Sequence, residues 1–274
     1  MYKLIVSDLD ETLIDSNGHV SQENLAAISK AQELGIRFVP ATGRSFNDFQ
    51  HILKMTNVAQ QTDQYSISYN GGVITENKNN RLLTTTAIPF PLAKELFAIG
   101  LNHDVLIHVF TLDNIHTLRM NDNEKAYLDG HVELTFLTSE SIDHLLETPI
   151  IKISFQHLDN DYLRQIETTL TPELAARFDV NYSSHRYIEF NPKGINKGNA
   201  LIELMAMLNV KPEEVLAIGD NMNDRTLIQT AGTGISVANG VPELKELADY
   251  ICTSTNDQSA VAEALETFIF NPKK

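Results

Sequence analysis

The chain has 274 residues, of which 42% are hydrophobic and 21% charged, and its formal net charge is −15 at pH 7. These proportions are typical of a globular protein, and the length allows one large domain or a core with an inserted module. The negative charge argues against binding to nucleic acid or to an anionic membrane, because both require a basic surface. A small anionic substrate is compatible with it if a metal ion reverses the field locally.

The sequence predicts a cytoplasmic protein. Cys252 is the single cysteine, so an internal disulfide is excluded and the fold suits a reducing compartment. The N-terminus enters a predicted strand without the features of a signal peptide, and no apolar run is long enough to span a bilayer. Nothing indicates a protein partner, and we expect a monomer or a weak homodimer.

The N-terminal part alternates strands with helices. We predict strands at residues 3–7, 36–39 and 67–69, and helices at 21–34 and 45–55. Ser21 is a candidate N-cap for the first helix, and Gly35 is a candidate stop.

The C-terminal part has the same alternation. It contains predicted helices at 197–208, 223–231, 242–247 and 257–268, and strands at 215–218, 234–237 and near residue 251. This alternation predicts parallel strands joined by right-handed crossovers, with helices on both faces of the sheet.

Between about residues 82 and 190 the pattern changes. Strands are predicted at 105–111, 115–120, 150–156, 178–183 and 187–190, and helices at 91–102 and 160–170. The order of one helix and two strands occurs twice, and antiparallel pairing fits it better than a parallel sheet. We therefore predict an α/β core of residues 1–81 and 191–274 with an inserted α+β module of residues 82–190.

Two carboxylates lie two residues apart directly after the first predicted strand. Because side chains alternate along an extended chain, Asp8 and Asp10 should project into the same space. Two like charges this close repel unless a cation lies between them or one carries a proton. A phosphoryl-transfer site needs both a metal beside a nucleophilic carboxylate and a carboxyl group that passes a proton. The alternative interpretation is that aspartates follow strands because they suit turns.

Three further polar clusters lie at predicted strand or helix ends, where open parallel sheets bind ligands. They are residues 42–44 (TGR), 196–198 (NKG) and 219–224 (GDNMND). The ordinary preference of polar residues for turns and helix caps explains each cluster alone. It does not readily explain why all of the clusters lie at the carboxyl ends of predicted strands or the N-terminal ends of predicted helices.

The clusters supply different needs of phosphoryl transfer. Asp8 is the candidate nucleophile, which would form an aspartyl phosphate. Asp10 is the candidate general acid and base, and the Thr12 hydroxyl would support this loop. Lys197 can neutralise the phosphoryl group and Asp8, although most lysines are simply solvated.

Phosphate oxygens can accept hydrogen bonds from Thr42 and from the Gly43 amide at a helix entrance. Arg44 and Asn223 are further candidate phosphate ligands. The supporting residues are Asn70 and Gly71 on a loop that borders the pocket, and Asp224, which would orient Lys197 or support the metal. A polar helix cap is the alternative explanation for residues 220–224.

The metal site is predicted from oxygen ligands. Asp220 would complete the shell of a Mg²⁺ ion with Asp8 and the backbone carbonyl of Asp10, because a hard cation prefers carboxylates, phosphate and water.

These motifs resemble the haloacid dehalogenase superfamily of phosphatases and, within it, the Cof-type hydrolases. The matching segments are residues 8–12 (DLDET), 41–44 (ATGR), 197–198 (KG) and 219–224, in the family's order, together with 69–72 (YNGG) and 187–192 (YIEFNP). The resemblance implies a Rossmann-like core, an inserted cap that selects the substrate, a Mg²⁺ requirement and an aspartyl-phosphate intermediate. Residues 258–262 (QSAVA) depart from the usual Asp-Gly-Val-Ala, and Gly72 stands where Ala is common.

The prediction is a Mg²⁺-dependent phosphatase of a small phosphorylated metabolite, either a sugar phosphate or a cofactor phosphate. A sugar phosphomutase would share the nucleophile and the metal, and a non-catalytic phosphometabolite-binding regulator is the third class. The regulator is disfavoured because a binding module does not need Asp10. His185 and Arg186 are candidate substrate contacts of the inserted module, and an exposed hairpin is the alternative for them.

Overall fold

The computed structural model describes residues 1–128 and 134–272. It divides into two compact units, one of Met1–Thr84 with Asn196–Lys274 and the other of Thr85–Ile195. Within the described residues, none of the helices combines the length and the apolar character needed to cross a bilayer.

The secondary structure alternates over much of the chain. The strands are β1 Leu4–Ser7, β2 Arg37–Pro40, β3 Tyr65–Ser68, β4 Val73–Glu76, β5 Arg81–Thr85, β6 Leu106–Thr111, β7 Ile115–Leu118, β8 Leu134–Phe136, β9 Ile150–Gln156, β10 Phe178–Ser183, β11 Tyr187–Pro192, β12 Val215–Gly219, β13 Thr233–Ser236 and β14 Tyr250–Ile251. The helices are α1 Gln22–Glu33, α2 Gln50–Met55, α3 Phe90–Leu101, α4 Asp122–Leu128, α5 Asn160–Thr168, α6 Pro172–Ala175, α7 Lys197–Leu208, α8 Arg225–Thr230, α9 Pro242–Lys245 and α10 Ala260–Leu265. The predicted module boundaries, after residues 81 and 190, fall inside β5 and β11.

The first unit is built on a parallel sheet with the strand order β14-β13-β12-β1-β2. Neighbouring strands β1 and β12 come from opposite ends of the chain and pair in register, with Val6 opposite Ala217. Every residue of both strands is buried, as expected for parallel strands covered on both faces. The predicted parallel-sheet core is therefore confirmed.

Local signals set the helix ends that matter for the site. The Ser21 hydroxyl accepts a hydrogen bond from the Asn24 amide at 3.2 Å, as the predicted cap of α1. The Asn196 side chain does the same for α7, accepting from the Asn199 amide at 2.9 Å. This cap makes Lys197 the first residue of α7.

Three predicted helices begin later than expected. The segment before α2 is a closed turn, because the Asp48 carboxylate accepts a hydrogen bond from the Ser45 amide at 3.2 Å. Helix α8 follows the 3₁₀ turn Met222–Asp224. Helix α10 begins after Ser259, whose φ of +64° lies in the left-handed region and ends the preceding turn.

The third predicted strand does not belong to the parallel sheet. Strand β3 pairs antiparallel with β4 and forms a separate sheet with the order β3-β4-β5. A single bridge between Ala41 and Ile67 connects it to the end of β2. Strands β4 and β5 are not predicted from the sequence.

The second unit contains a six-stranded sheet with the order β10-β11-β9-β6-β7-β8. Its apolar face, with Ile107, Ile153 and Ile188, packs in one cluster with residues of α3 and α5. The predicted antiparallel pairing is confirmed for the five predicted strands of this unit. Strand β8, in contrast, pairs parallel with β7. Strand β8 and helix α4 are not predicted, because β8 has three residues and the only described buried residue of α4 is Glu124.

Candidate active site

The parallel sheet brings the predicted motifs to one edge. Asp8 follows β1, Thr42 follows β2, and Asp220 follows β12, so all three come after the carboxyl ends of neighbouring strands. Asp8 continues the strand geometry, since its amide donates to the Ile218 carbonyl oxygen at 3.0 Å. This edge is the usual ligand-binding position of an open parallel sheet.

Lys197 lies at the centre of the cluster and has no exposed surface. Its Nζ is 2.6 Å from an Asp8 oxygen and 2.6 Å from an Asp224 oxygen. Burial lowers the pKa of Lys197, but attraction to Asp224 and Asp8 outweighs burial and raises this pKa above its usual value. Lys197 is therefore a buried cation held by two carboxylates. The alternative interpretation, that it is a solvated surface lysine, is excluded.

Three buried carboxylates, two of which contact Lys197, lie close together in the site. Ligand oxygens of Asp8, Asp220 and Asp224 lie within 4.8 Å of one another. Burial, and secondly repulsion by Asp224, raises the pKa of Asp8 to about 7. Burial, and then repulsion by Asp8, raises the pKa of Asp220 to about 10. These groups are costly to ionise without another cation, and a hard divalent metal is the cation that such oxygens bind.

The two oxygens of Asp224 are already engaged within the protein. One contacts Lys197, and the other accepts hydrogen bonds from the amides of Asp220 at 3.0 Å and Asn221 at 3.2 Å. Asp8 and Asp220 are therefore better placed to hold a metal, and Asp224 to orient the lysine. The Thr12 hydroxyl donates to Asp220 Oδ1 at 2.9 Å and fixes that carboxylate.

Asp10 is not part of the carboxylate cluster. Its side chain is 48% exposed, and its two oxygens accept hydrogen bonds from the Arg44 guanidinium, Nε lying 2.9 Å from Oδ2. Such a two-point contact fixes the orientation of the carboxylate plane. The sequence does not indicate this pair, because the two residues are distant in the chain and lie in different motifs.

The predicted phosphate ligands form a connected loop system. The Thr42 hydroxyl accepts from the Arg44 amide at 3.1 Å, which leaves its own proton able to donate. A Cβ on Gly43 would lie 3.1 Å from Asn70 Oδ1, so a larger residue would crowd Asn70. Asn223 Nδ2 donates to the same Asn70 oxygen at 3.5 Å. Gly43 lies in a loop and not at the predicted helix entrance, because α2 begins at Gln50.

Two glycines allow close backbone approach beside Lys197. Gly71 has a φ of +101°, and a Cβ there would lie 2.4 Å from the Asn196 carbonyl oxygen. A Cβ on Gly198 would lie 2.4 Å from the Thr226 carbonyl oxygen. Gly71 therefore packs closely against the residue that caps α7. The sequence alone does not indicate that Gly198 must lack a side chain.

In the second unit, Arg186 is buried and His185 is exposed. Arg186 Nη1 lies 3.6 Å from Glu124 Oε2, and the guanidinium lies 3.9 Å from the centre of the Tyr127 ring. The alternative of an exposed hairpin therefore holds for His185 and not for Arg186. Their role as substrate contacts stays a prediction.

Known proteins of one family are similar to this chain over nearly its whole length. Residues 5–265 match the family described as haloacid dehalogenase-like hydrolase. The HMP-PP phosphatase of Serratia proteamaculans is 30% identical over 277 residues, which cover 99% of this chain and 97% of that protein. The 5-amino-6-(5-phospho-D-ribitylamino)uracil phosphatase YcsE of Bacillus subtilis is 27% identical, with 97% and 96% covered.

Among solved structures, a haloacid dehalogenase-like hydrolase from Bacteroides thetaiotaomicron has a TM-score of 0.84 and 30% identity. The similarity covers 97% of this chain and 99% of that one. The predicted family and enzyme class are thereby confirmed. The chain belongs to the family of haloacid dehalogenase-like hydrolases.

Proposed function

We propose that the protein is a Mg²⁺-dependent phosphatase that hydrolyses a phosphomonoester through an aspartyl phosphate on Asp8. The observation that supports this most strongly is the fully buried Lys197, bound at 2.6 Å to both Asp8 and Asp224. A structural ion pair would not need a third buried carboxylate, Asp220, beside it. A nucleophile, a permanent cation and a metal ligand are the parts of a phosphoryl-transfer site.

Asp8 attacks phosphorus as a carboxylate. Asp8 Oδ1 accepts a hydrogen bond from the Lys197 ammonium, so Oδ2 is the oxygen that attacks phosphorus. The positive charge on Lys197 favours the ionised nucleophile and also neutralises the incoming phosphoryl group.

Mg²⁺ fits the donor set, which consists only of oxygens. Asp8 and Asp220 would hold it with the Asp10 carbonyl, while Thr12 steadies Asp220 through the 2.9 Å hydrogen bond. When bound, the ion supplies Lewis-acid stabilisation of charge on the phosphoryl oxygens. Asp224 keeps Lys197 directed at the reaction centre.

Asp10 moves the protons. It donates one to the leaving alcohol oxygen and then, as a carboxylate, accepts one from the water that attacks the aspartyl phosphate. Arg44 holds the side chain of Asp10 in one orientation between these steps. The Thr42 hydroxyl, the Gly43 amide and Asn223 would bind the phosphate oxygens.

The substrate class proposed is a small phosphorylated metabolite, either a sugar phosphate or a cofactor phosphate. The named relatives support this, since one is a phosphatase of HMP-PP and the other of 5-amino-6-(5-phospho-D-ribitylamino)uracil. The inserted unit would select the organic part of the substrate. A cytoplasmic location and a monomer or weak homodimer stay predictions.

The test is phosphate release from a panel of phosphorylated metabolites, with Mg²⁺ and with chelator. We expect Mg²⁺-dependent release that is lost in Asp8→Asn. The matched control is Asp143→Asn, an exposed aspartate paired with Lys94 at 2.6 Å in the second unit, which should retain activity.

Three results would contradict the proposal. Full activity of Asp8→Asn would exclude the nucleophile. Conversion of one sugar phosphate into its isomer without free phosphate would identify the phosphomutase. Tight binding of a phosphometabolite without any turnover would identify the regulator.

A further inference from the structure

Two asparagines from the C-terminal part of the chain bind the loop that follows Asp10. Asn239 Nδ2 donates to the Glu11 carbonyl oxygen at 2.7 Å, and Asn256 Nδ2 donates to the Ile14 carbonyl oxygen at 3.0 Å. The two are linked, because Asn239 Oδ1 accepts from the Asn256 amide at 2.9 Å. We refer to Asn239 and Asn256 as the asparagine clamp.

A neighbouring carboxylate binds the same loop further along. The Asp257 carboxylate accepts from the Ser16 amide at 2.7 Å and from the Ser16 hydroxyl at 2.8 Å. Residues 256–257 precede the segment in which the sequence departs from the family pattern.

The loop itself has an unusual backbone where the clamp binds. Glu11 has a φ of +58°, a left-handed conformation that residues other than glycine keep only when surrounding contacts determine it. Asn239 binds the carbonyl oxygen of this residue. Because Glu11 follows Asp10 directly, its backbone conformation determines the direction in which the chain leaves Asp10.

The segment that carries Asn239 also contacts the loop of Asp220. The Val237 amide donates to the Gly219 carbonyl oxygen at 3.2 Å, and the Val241 amide donates to the Asp220 carbonyl oxygen at 2.8 Å. One short segment therefore binds the backbone on both sides of the site and can fix the distance between the two loops.

We propose that Asn239 and Asn256 are positioning residues for Asp10. They hold its loop at the distance from the nucleophile that proton transfer to the leaving group requires. This inference rests on the proposed phosphatase function. The asparagine clamp would position Asp10 and not Asp8, because Asp8 is held independently by its strand hydrogen bond and by Lys197.

The leaving group distinguishes positioning from a general structural role. An alkyl phosphate needs a proton from Asp10 when its ester bond breaks, whereas an aryl phosphate such as p-nitrophenyl phosphate leaves as a stable anion. The ratio kcat/KM reports the steps up to release of the leaving group. A displaced Asp10 should therefore lower kcat/KM for the alkyl phosphate and change it little for the aryl phosphate.

The experiment compares both substrates in wild type, Asn239→Ala and Asn256→Ala, with thermal unfolding as a check on folding. Asn239 is exposed, so Asn239→Ala should stay folded. We expect kcat/KM for the alkyl phosphate to fall about tenfold and for the aryl phosphate to fall less than about threefold. The matched control is Asn77→Ala, which removes a buried amide that donates to the Val58 carbonyl oxygen at 3.1 Å.

The outcomes are separable. Equal losses with both substrates, or no loss in Asn239→Ala, would overturn this inference while the phosphatase activity of the wild type stands. A selective loss of the same size in Asn77→Ala would also overturn it, because that residue does not bind the Asp10 loop. A wild type that releases phosphate from neither substrate would overturn the proposed function and the inference with it.

Discussion

Replacement of Lys197 by methionine is the perturbation with the most clearly calculable effect. The ammonium has no exposed surface and lies 2.6 Å from Asp8 and from Asp224, which are themselves buried. Its removal leaves these carboxylates without their cation, and breaking a buried ion pair typically costs about 3–5 kcal/mol. Part of this is recovered when a carboxylate takes up a proton. We therefore expect a loss of about 3 kcal/mol near pH 8.

The loss should be smaller at acidic pH, where the carboxylates are neutral in the variant. Urea unfolding with chelator, near pH 5 and near pH 8, measures both values. The matched control is Lys193→Met, which breaks an exposed pair with Asp179 at 2.5 Å and should cost less than about 1 kcal/mol. The reasoning would be refuted if Lys197→Met had the same stability as this control at both pH values.

Two further predictions concern the metal and the packing. Burial raises the pKa of Asp8 to about 7 and of Asp220 to about 10, so between about pH 4 and pH 10 these two groups bind more protons in the metal-free folded state than in the unfolded state. Their contribution to stability therefore falls as the pH rises. Mg²⁺ should therefore raise Tm more near pH 8 than near pH 6, and an equal increase would contradict this. Gly198→Ala should lower stability by about 2 kcal/mol in urea unfolding, because its Cβ would lie 2.4 Å from the Thr226 carbonyl oxygen.

The parts of the fold that the sequence predicts well are those set by local signals. Helix α7 has the predicted bounds, because the Asn196 side chain caps its start and Asn209, with a φ of +51°, ends it. Strand β1 is apolar up to Ser7 and β12 is apolar throughout, which indicates burial on both faces. The strand ends then place Asp8 and Asp220 at one edge of the sheet without any long-range information.

The parts that it does not predict depend on contacts between distant residues. The pairing of Arg44 with Asp10 and the hydrogen bond from Asn239 to Glu11 arise from loop conformations that have no periodicity. Helix α4 escaped prediction for a related reason, since its one described buried residue, Glu124, is bound by polar groups of the second unit. A pattern of apolar residues cannot indicate such an element.

The central claim is that Asp8 carries the phosphoryl group during turnover. Rapid quenching of wild type with Mg²⁺ and a substrate, followed by borohydride reduction and peptide mass spectrometry, converts an aspartyl phosphate into homoserine and locates it. We predict homoserine at position 8 in the wild type and none in Asp8→Asn. With an aryl phosphate, which needs no proton from Asp10 to leave, Asp10→Asn should give more homoserine because hydrolysis of the intermediate is slowed. Steady phosphate release with an unmodified Asp8, or with the modification on another carboxylate, would contradict the mechanism.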